Sequence, residues 1–167
     1  MLEVLTCIAV EHDPLSLIAA VSVCLFGSLL TMRLFGRVRN TRGVTRASWI
    51  SLTSVIGGAG IWTTHFVAMM GYEGDVLAGY EPTATLTSLV LAIAITGIGF
   101  AIAAATQRSL LIEAGGALVG GGIAAMHYVG MSAYRVDGIV TWAWGYVAAS
   151  VLLSVLLGGI AFHLLAR

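Results

Sequence analysis

The chain has 167 residues, of which 59% are hydrophobic and 10% charged, with a mean hydropathy of +0.98 and a formal net charge of zero. A water-soluble domain carries about one-quarter charged residues, so the composition excludes that class and identifies an integral membrane protein. With the charges balanced, bulk electrostatics selects neither nucleic acid nor an acidic partner.

The first ten residues lack a basic leader and a small-residue cleavage site, so no cleaved signal peptide is expected. Five apolar runs follow, each near the roughly 20 residues that a bilayer-crossing helix needs. They extend over about Leu15–Phe35, Ala47–Met70, Ala84–Ala105, Leu110–Met131 and Trp142–Leu165. Pro14 and Pro82 precede the first and third, where a proline costs no helical hydrogen bond. Cys7 and Cys24 have no metal-type spacing, and a bridge between them is not expected; both read as small apolar packing residues.

All eight basic residues are arginine. Arg33, Arg37, Arg39, Arg42 and Arg46 cluster at the first connection, Arg108 marks the third, Arg167 is the last residue, and only Arg135 falls on the other side. The positive-inside rule then places the N-terminus outside and the C-terminus in the cytoplasm. Glu3, Glu11, Asp13, Glu73, Asp75, Glu81 and Asp137 all fall on the outer side, in agreement. The predicted fold is an all-α integral membrane bundle of five helices.

The second and fourth runs contain two copies of one motif. Ile61-Trp62-Thr63-Thr64-His65-Phe66-Val67-Ala68-Met69 aligns with Ile123-Ala124-Ala125-Met126-His127-Tyr128-Val129-Gly130-Met131, at an offset of 127 − 65 = 62 residues. The same offset pairs Gly58 with Gly120, Tyr72 with Tyr134 and Tyr80 with Trp142. His12-Asp13-Pro14 opens the first run as Tyr80-Glu81-Pro82 opens the third. Repetition at this period indicates duplicated helix pairs, with the fifth run as a third odd-numbered helix. A further motif copy, expected near position 189, lies beyond the chain. Gly116-x-x-x-Gly120 has the spacing that lets transmembrane backbones approach closely, and is expected to bring the two motif helices together.

His65 and His127 fall near the outer ends of their helices, roughly 7 Å below the end of the span at 1.5 Å per residue. An ionisable residue at that depth is costly and marks a candidate site. Met69 and Met131 each follow their histidine by four residues, on the same helix face. Imidazole with thioether favours copper, especially Cu(I). Met70 and Met126 are further thioethers, and His12 is a candidate third imidazole. Methionines and aromatics at helical spacing also suit plain core packing. The duplication is what favours ligation. His163 reads as a packed or solvated histidine, and Glu113 as a favourable helix-dipole placement. No span has a charge at its midplane or an internal proline, and no catalytic motif is present, so neither transport nor an enzyme is predicted. The residues leave several functions open: a copper-binding sensor, a haem-binding electron carrier with His65 and His127 as axial ligands, a copper-handling protein, or a structural membrane anchor. They do not decide between monomer and homodimer.

Met126-His127-Tyr128-Val129-Gly130-Met131 resembles the signature of the MHYT family of bacterial membrane sensor domains, and Trp62–Met69 resembles that family's first-motif variant. His12-Asp13-Pro14 resembles the opening of its first helix. The resemblance implies an inner-membrane sensory module that binds copper through His and Met residues and senses oxygen, carbon monoxide or nitric oxide. It also implies continuation into cytoplasmic output domains that make or degrade cyclic di-GMP, or into DNA-binding domains. Val129 stands where the motif has threonine, Thr64 where its first copy has methionine, and a third repeat is missing.

Overall fold

The structure, a computed structural model, describes residues 12–72, 78–136 and 141–166. Cys7, Glu3, Glu11, Glu73, Asp75, Asp137 and Arg167 lie outside the described residues. Five long helices form where the apolar runs predict them: α1 (Pro14–Arg39), α2 (Gly43–Met70), α3 (Pro82–Ala104), α4 (Ser109–Ala133) and α5 (Trp144–Ala166).

Local chemistry sets the helix starts. Pro14 and Pro82 occupy first-turn positions, and the acid before each is the N-cap. Asp13 accepts from the Ser16 backbone N–H at 2.8 Å, and Glu81 from those of Thr83 and Ala84 at 2.9 and 2.7 Å. α1 runs four residues past the predicted Phe35, so Arg37 and Arg39 lie in its last turn, where cations complement the helix dipole. The reversal into α2 is correspondingly tight, with Gly43 at φ +59°, a left-handed conformation that glycine adopts without a Cβ clash.

Four helices, α1, α3, α4 and α5, are long and apolar enough to cross a membrane. α2 is not among them, because glycine, serine and threonine interrupt its apolar residues. Its Thr53 and Ser54 are buried and satisfied within the helix, donating to the Trp49 and Ile50 carbonyls at 2.7 and 2.6 Å. One short strand pair accompanies the all-helical bundle. Ala78–Tyr80 (β1) and Tyr134–Val136 (β2) form a short antiparallel ribbon with Tyr80 opposite Tyr134, joining the connection before α3 to the end of α4.

Each helix packs on its neighbour in sequence, and the starts of α1, α3 and α4 meet the ends of α2, α4 and α5. α1 and α5 are the least covered, each with a span only 6% buried against 33% for α3 and 44% for α4. They flank the row and touch each other through Phe35 and Phe162. Near the arginine-rich end, Phe35, Phe100 and Phe162 from α1, α3 and α5 meet with ring centroids 5.3–5.8 Å apart.

The glycines do not do what their spacing suggested. A Cβ on Gly120 would lie 2.0 Å from the Ser154 carbonyl oxygen, and one on Gly116 2.4 Å from that of Gly158. Gly116-x-x-x-Gly120 therefore seats α4 against α5, not against the other motif helix. Gly58, its counterpart in the first copy, seats α2 against the Ile93 backbone of α3 at 2.6 Å. Gly58 and Gly120, matched in the two copies, thus each dock the odd-numbered helix that follows, while Gly115 and Gly122 pack α4 against the preceding α3.

Candidate functional site

The duplication is visible in the contacts. The His65 ring meets Phe66 at 4.9 Å and Phe66 meets Tyr80 at 5.5 Å; His127 meets Tyr128 at 5.0 Å and Tyr128 meets Trp142 at 5.6 Å. The Asp13 N–H donates to the Gly71 carbonyl at 2.7 Å, and the Glu81 N–H to that of Ala133 at 2.8 Å. His12 bridges Tyr72 as Tyr80 pairs with Tyr134, with ring centroids 5.3 and 5.6 Å apart. The matching residues therefore build the same junction twice.

His65 and His127 come together where the two motif helices touch. Their Nδ1 atoms are 3.3 Å apart, with ring centroids at 4.8 Å and planes crossing at 71°. Both side chains are partly buried, and the buried Nε2 of His65 has no hydrogen-bond partner. Gly130 makes this packing possible. A Cβ there would stand 2.8 Å from that Nε2, whereas Ala68 occupies the matching position of the first copy. The difference between the copies was the available sequence signal for Gly130, and the pattern of shared residues concealed it.

Behind the imidazoles lies a cavity of about 480 Å³, bordered by all five helices (Thr96 and Phe100 from α3) and lined mainly by apolar side chains. Met126, 2% exposed, lines it beside His65 and His127; Met69 and Met131 do not. His12 sits apart, at the junction of α1 and α2 against Tyr72. Cys24 is a free thiol bordering the cavity.

The donor chemistry can be tested against copper. Two nitrogens about 2.0–2.1 Å from one tetrahedral ion lie about 3.3–3.4 Å apart, which the Nδ1 separation matches. A direct N–H···N hydrogen bond fits the same distance. No group of three His, Cys, Asp or Glu side chains suited to a metal assembles among the described residues. Two imidazoles with nearby thioether sulfur and no carboxylate fit a soft, low-coordinate ion better than a hard one.

At the opposite end, His163 is neither simply packed nor simply solvated. Its Nδ1 lies 2.7 Å from Glu113 Oε1, joining α5 to α4, and Ser109 Oγ donates to the same carboxylate oxygen. Glu113 thus has a specific partner in addition to its place near the start of α4.

An all-helical bundle with membrane-capable helices, built from repeated helix pairs and joining a histidine from each repeat, defines a duplicated multi-pass membrane module. The sequence profile of the MHYT family, described as a bacterial signalling protein N-terminal repeat, matches residues 58–116 and 120–167. The chain belongs to the MHYT family. It is 42% identical over 92% of its length to an uncharacterized signaling protein of Caulobacter vibrioides. Over 87% and 89% of its length it is 32% and 33% identical to two proteins of Pseudomonas aeruginosa: the bifunctional diguanylate cyclase/cyclic di-GMP phosphodiesterase MucR and the cyclic di-GMP phosphodiesterase NbdA. The chain spans only 18–21% of the length of these three relatives. No solved structure matches it significantly.

Proposed function

We propose that this chain is the sensory membrane module of a bacterial signalling protein. It binds a copper ion through His65 and His127 and through that ion reads oxygen, carbon monoxide or nitric oxide. The observation that carries this reading is the meeting of one imidazole from each repeat, Nδ1 to Nδ1 at 3.3 Å, inside an otherwise apolar bundle. Met126 borders the same cavity, while Met69 and Met131 offer sulfur one helical turn beyond each histidine. His12 enters as a peripheral imidazole at a neighbouring junction. Copper, when bound, supplies an electron-rich centre for a diatomic ligand. The protein holds the imidazoles in register, shields them with Phe66 and Tyr128, and places a largely apolar cavity beside them.

Haem is the competing cofactor. A macrocycle between the two imidazoles would require the rings to part, so their present contact supports the smaller ion. Five membrane crossings are proposed, with α2 carried across by its packing between α1 and α3, the N-terminus outside and the C-terminus in the cytoplasm by the arginine distribution. In the inner membrane, helix shifts at the histidine pair would then reach a cytoplasmic output domain such as the relatives' cyclic di-GMP enzymes.

The purified chain, loaded with Cu(I) without oxygen and exposed to carbon monoxide, tests this reading. We expect an infrared C–O stretching band that is absent from His65→Ala and from His127→Ala. An unchanged band in both variants, or a Soret band in the protein as isolated, would contradict it.

A further inference from the structure

The arginine-rich end of the bundle holds a second pocket, of about 300 Å³, between α1, the α3–α4 connection and the end of α5. Its polar side chains are Arg39, Asn40 and Gln107. Its apolar wall is Met32, Phe35 and Leu165, and these same three residues also line the floor of the large cavity. The two spaces are therefore adjacent, with these side chains as a shared wall. A charged, hydrogen-bonding mouth adjoins an apolar groove bordered by the two least covered helices, and both volumes fall within or at the edge of the roughly 300–1,000 Å³ typical of small-molecule sites.

Charge points the same way. Arg33, Arg37, Arg39, Arg42 and Arg46 stand together, and none lies within 4 Å of a carboxylate among the described residues. Arg39 alone of the five lines the pocket. Its Nη2 donates to Gln107 Oε1 at 3.1 Å, which leaves other N–H groups of the fork for an anion. Arg33, Arg37 and Arg42 are exposed.

We propose that this is a binding site for an anionic phospholipid. The phosphate headgroup meets Arg39, Asn40 and Gln107, and one acyl chain lies over Met32, Phe35 and Leu165 into the groove between α1 and α5. Basic pockets between membrane helices recognise such headgroups by this chemistry, and a guanidinium suits phosphate through paired N–H···O bonds. The adjoining apolar groove selects a lipid over free phosphate, because a small anion leaves that surface uncovered. The proposal does not rest on metal binding at the histidine pair.

The chain reconstituted in phosphatidylcholine nanodiscs, with or without phosphatidylglycerol, and then released for native mass spectrometry provides the test. We expect retained phosphatidylglycerol, a loss of about tenfold in retention for Arg39→Gln, and little change for the exposed control Arg33→Gln. Met32→Trp, which keeps every charge and fills the groove, should also release the lipid; melting temperatures of both variants verify folding. Undiminished retention in Arg39→Gln would overturn the site. So would equal losses for Arg33→Gln and Arg39→Gln, displacement of the lipid by inorganic phosphate, or an acidic protein retained in its place.

Discussion

His65 and His127, one from each copy of the repeat, meet Nδ1 to Nδ1 at 3.3 Å. Their meeting followed from the duplication, but the means did not. The contact depends on Gly130, where the copies differ, and the thioether that borders the adjoining cavity beside the two imidazoles is Met126, which precedes its histidine instead of following it by one turn. Helical spacing identified Met69 and Met131 as face-sharing residues without saying which space that face borders. If Gly130 is what seats the His65 ring, Gly130→Ala should weaken copper binding about tenfold, the lower range for supporting residues of a metal site, in competition with a chromophoric Cu(I) chelator. Ala68→Gly, the matching change in the first copy, should leave affinity unaltered. The capping acids give a second residue-scale expectation. The backbone N–H groups of Ala84 and then Thr83 hold the Glu81 carboxyl below its ordinary range, and the Ser16 hydroxyl and backbone N–H do the same for Asp13. A carboxyl depressed in the fold contributes stability above its unfolded pKa and loses it as the pH falls through the folded value. The melting temperature in detergent should therefore be flat above about pH 5 and decline below about pH 4, with a smaller decline in Glu81→Gln.

Among the elements, the five helices and their proline starts were readable because apolar length and N-cap chemistry are local properties. Partner choice was not. Gly116-x-x-x-Gly120 announces a close approach without naming the partner, and that partner is α5. The β1–β2 ribbon also escaped, since three-residue strands leave no periodic pattern to detect. The docking glycines can be tested by contrast. Gly120→Ala puts a Cβ 2.0 Å from the Ser154 carbonyl oxygen and should cost about 1–3 kcal/mol, whereas Gly121→Ala meets only Val155 Cγ2 at 3.8 Å. Chemical denaturation in mixed micelles should show a clear loss for the first and almost none for the second.

For the whole molecule, the repeat is an architectural rule. The acid-proline cap, the ring pair that links each motif to the following helix and the docking glycine at Gly58 and Gly120 recur, so the bundle is two similar helix pairs followed by a fifth helix. That arrangement carries one imidazole per repeat to the same point and leaves α1 and α5 flanking an apolar cavity beside it. The most direct test is elemental analysis of the chain purified from copper-supplemented cells, comparing wild type with the folded double variant His65→Ala/His127→Ala. The account predicts copper in the wild type and its loss from the double variant; equal copper content in the two proteins would contradict it.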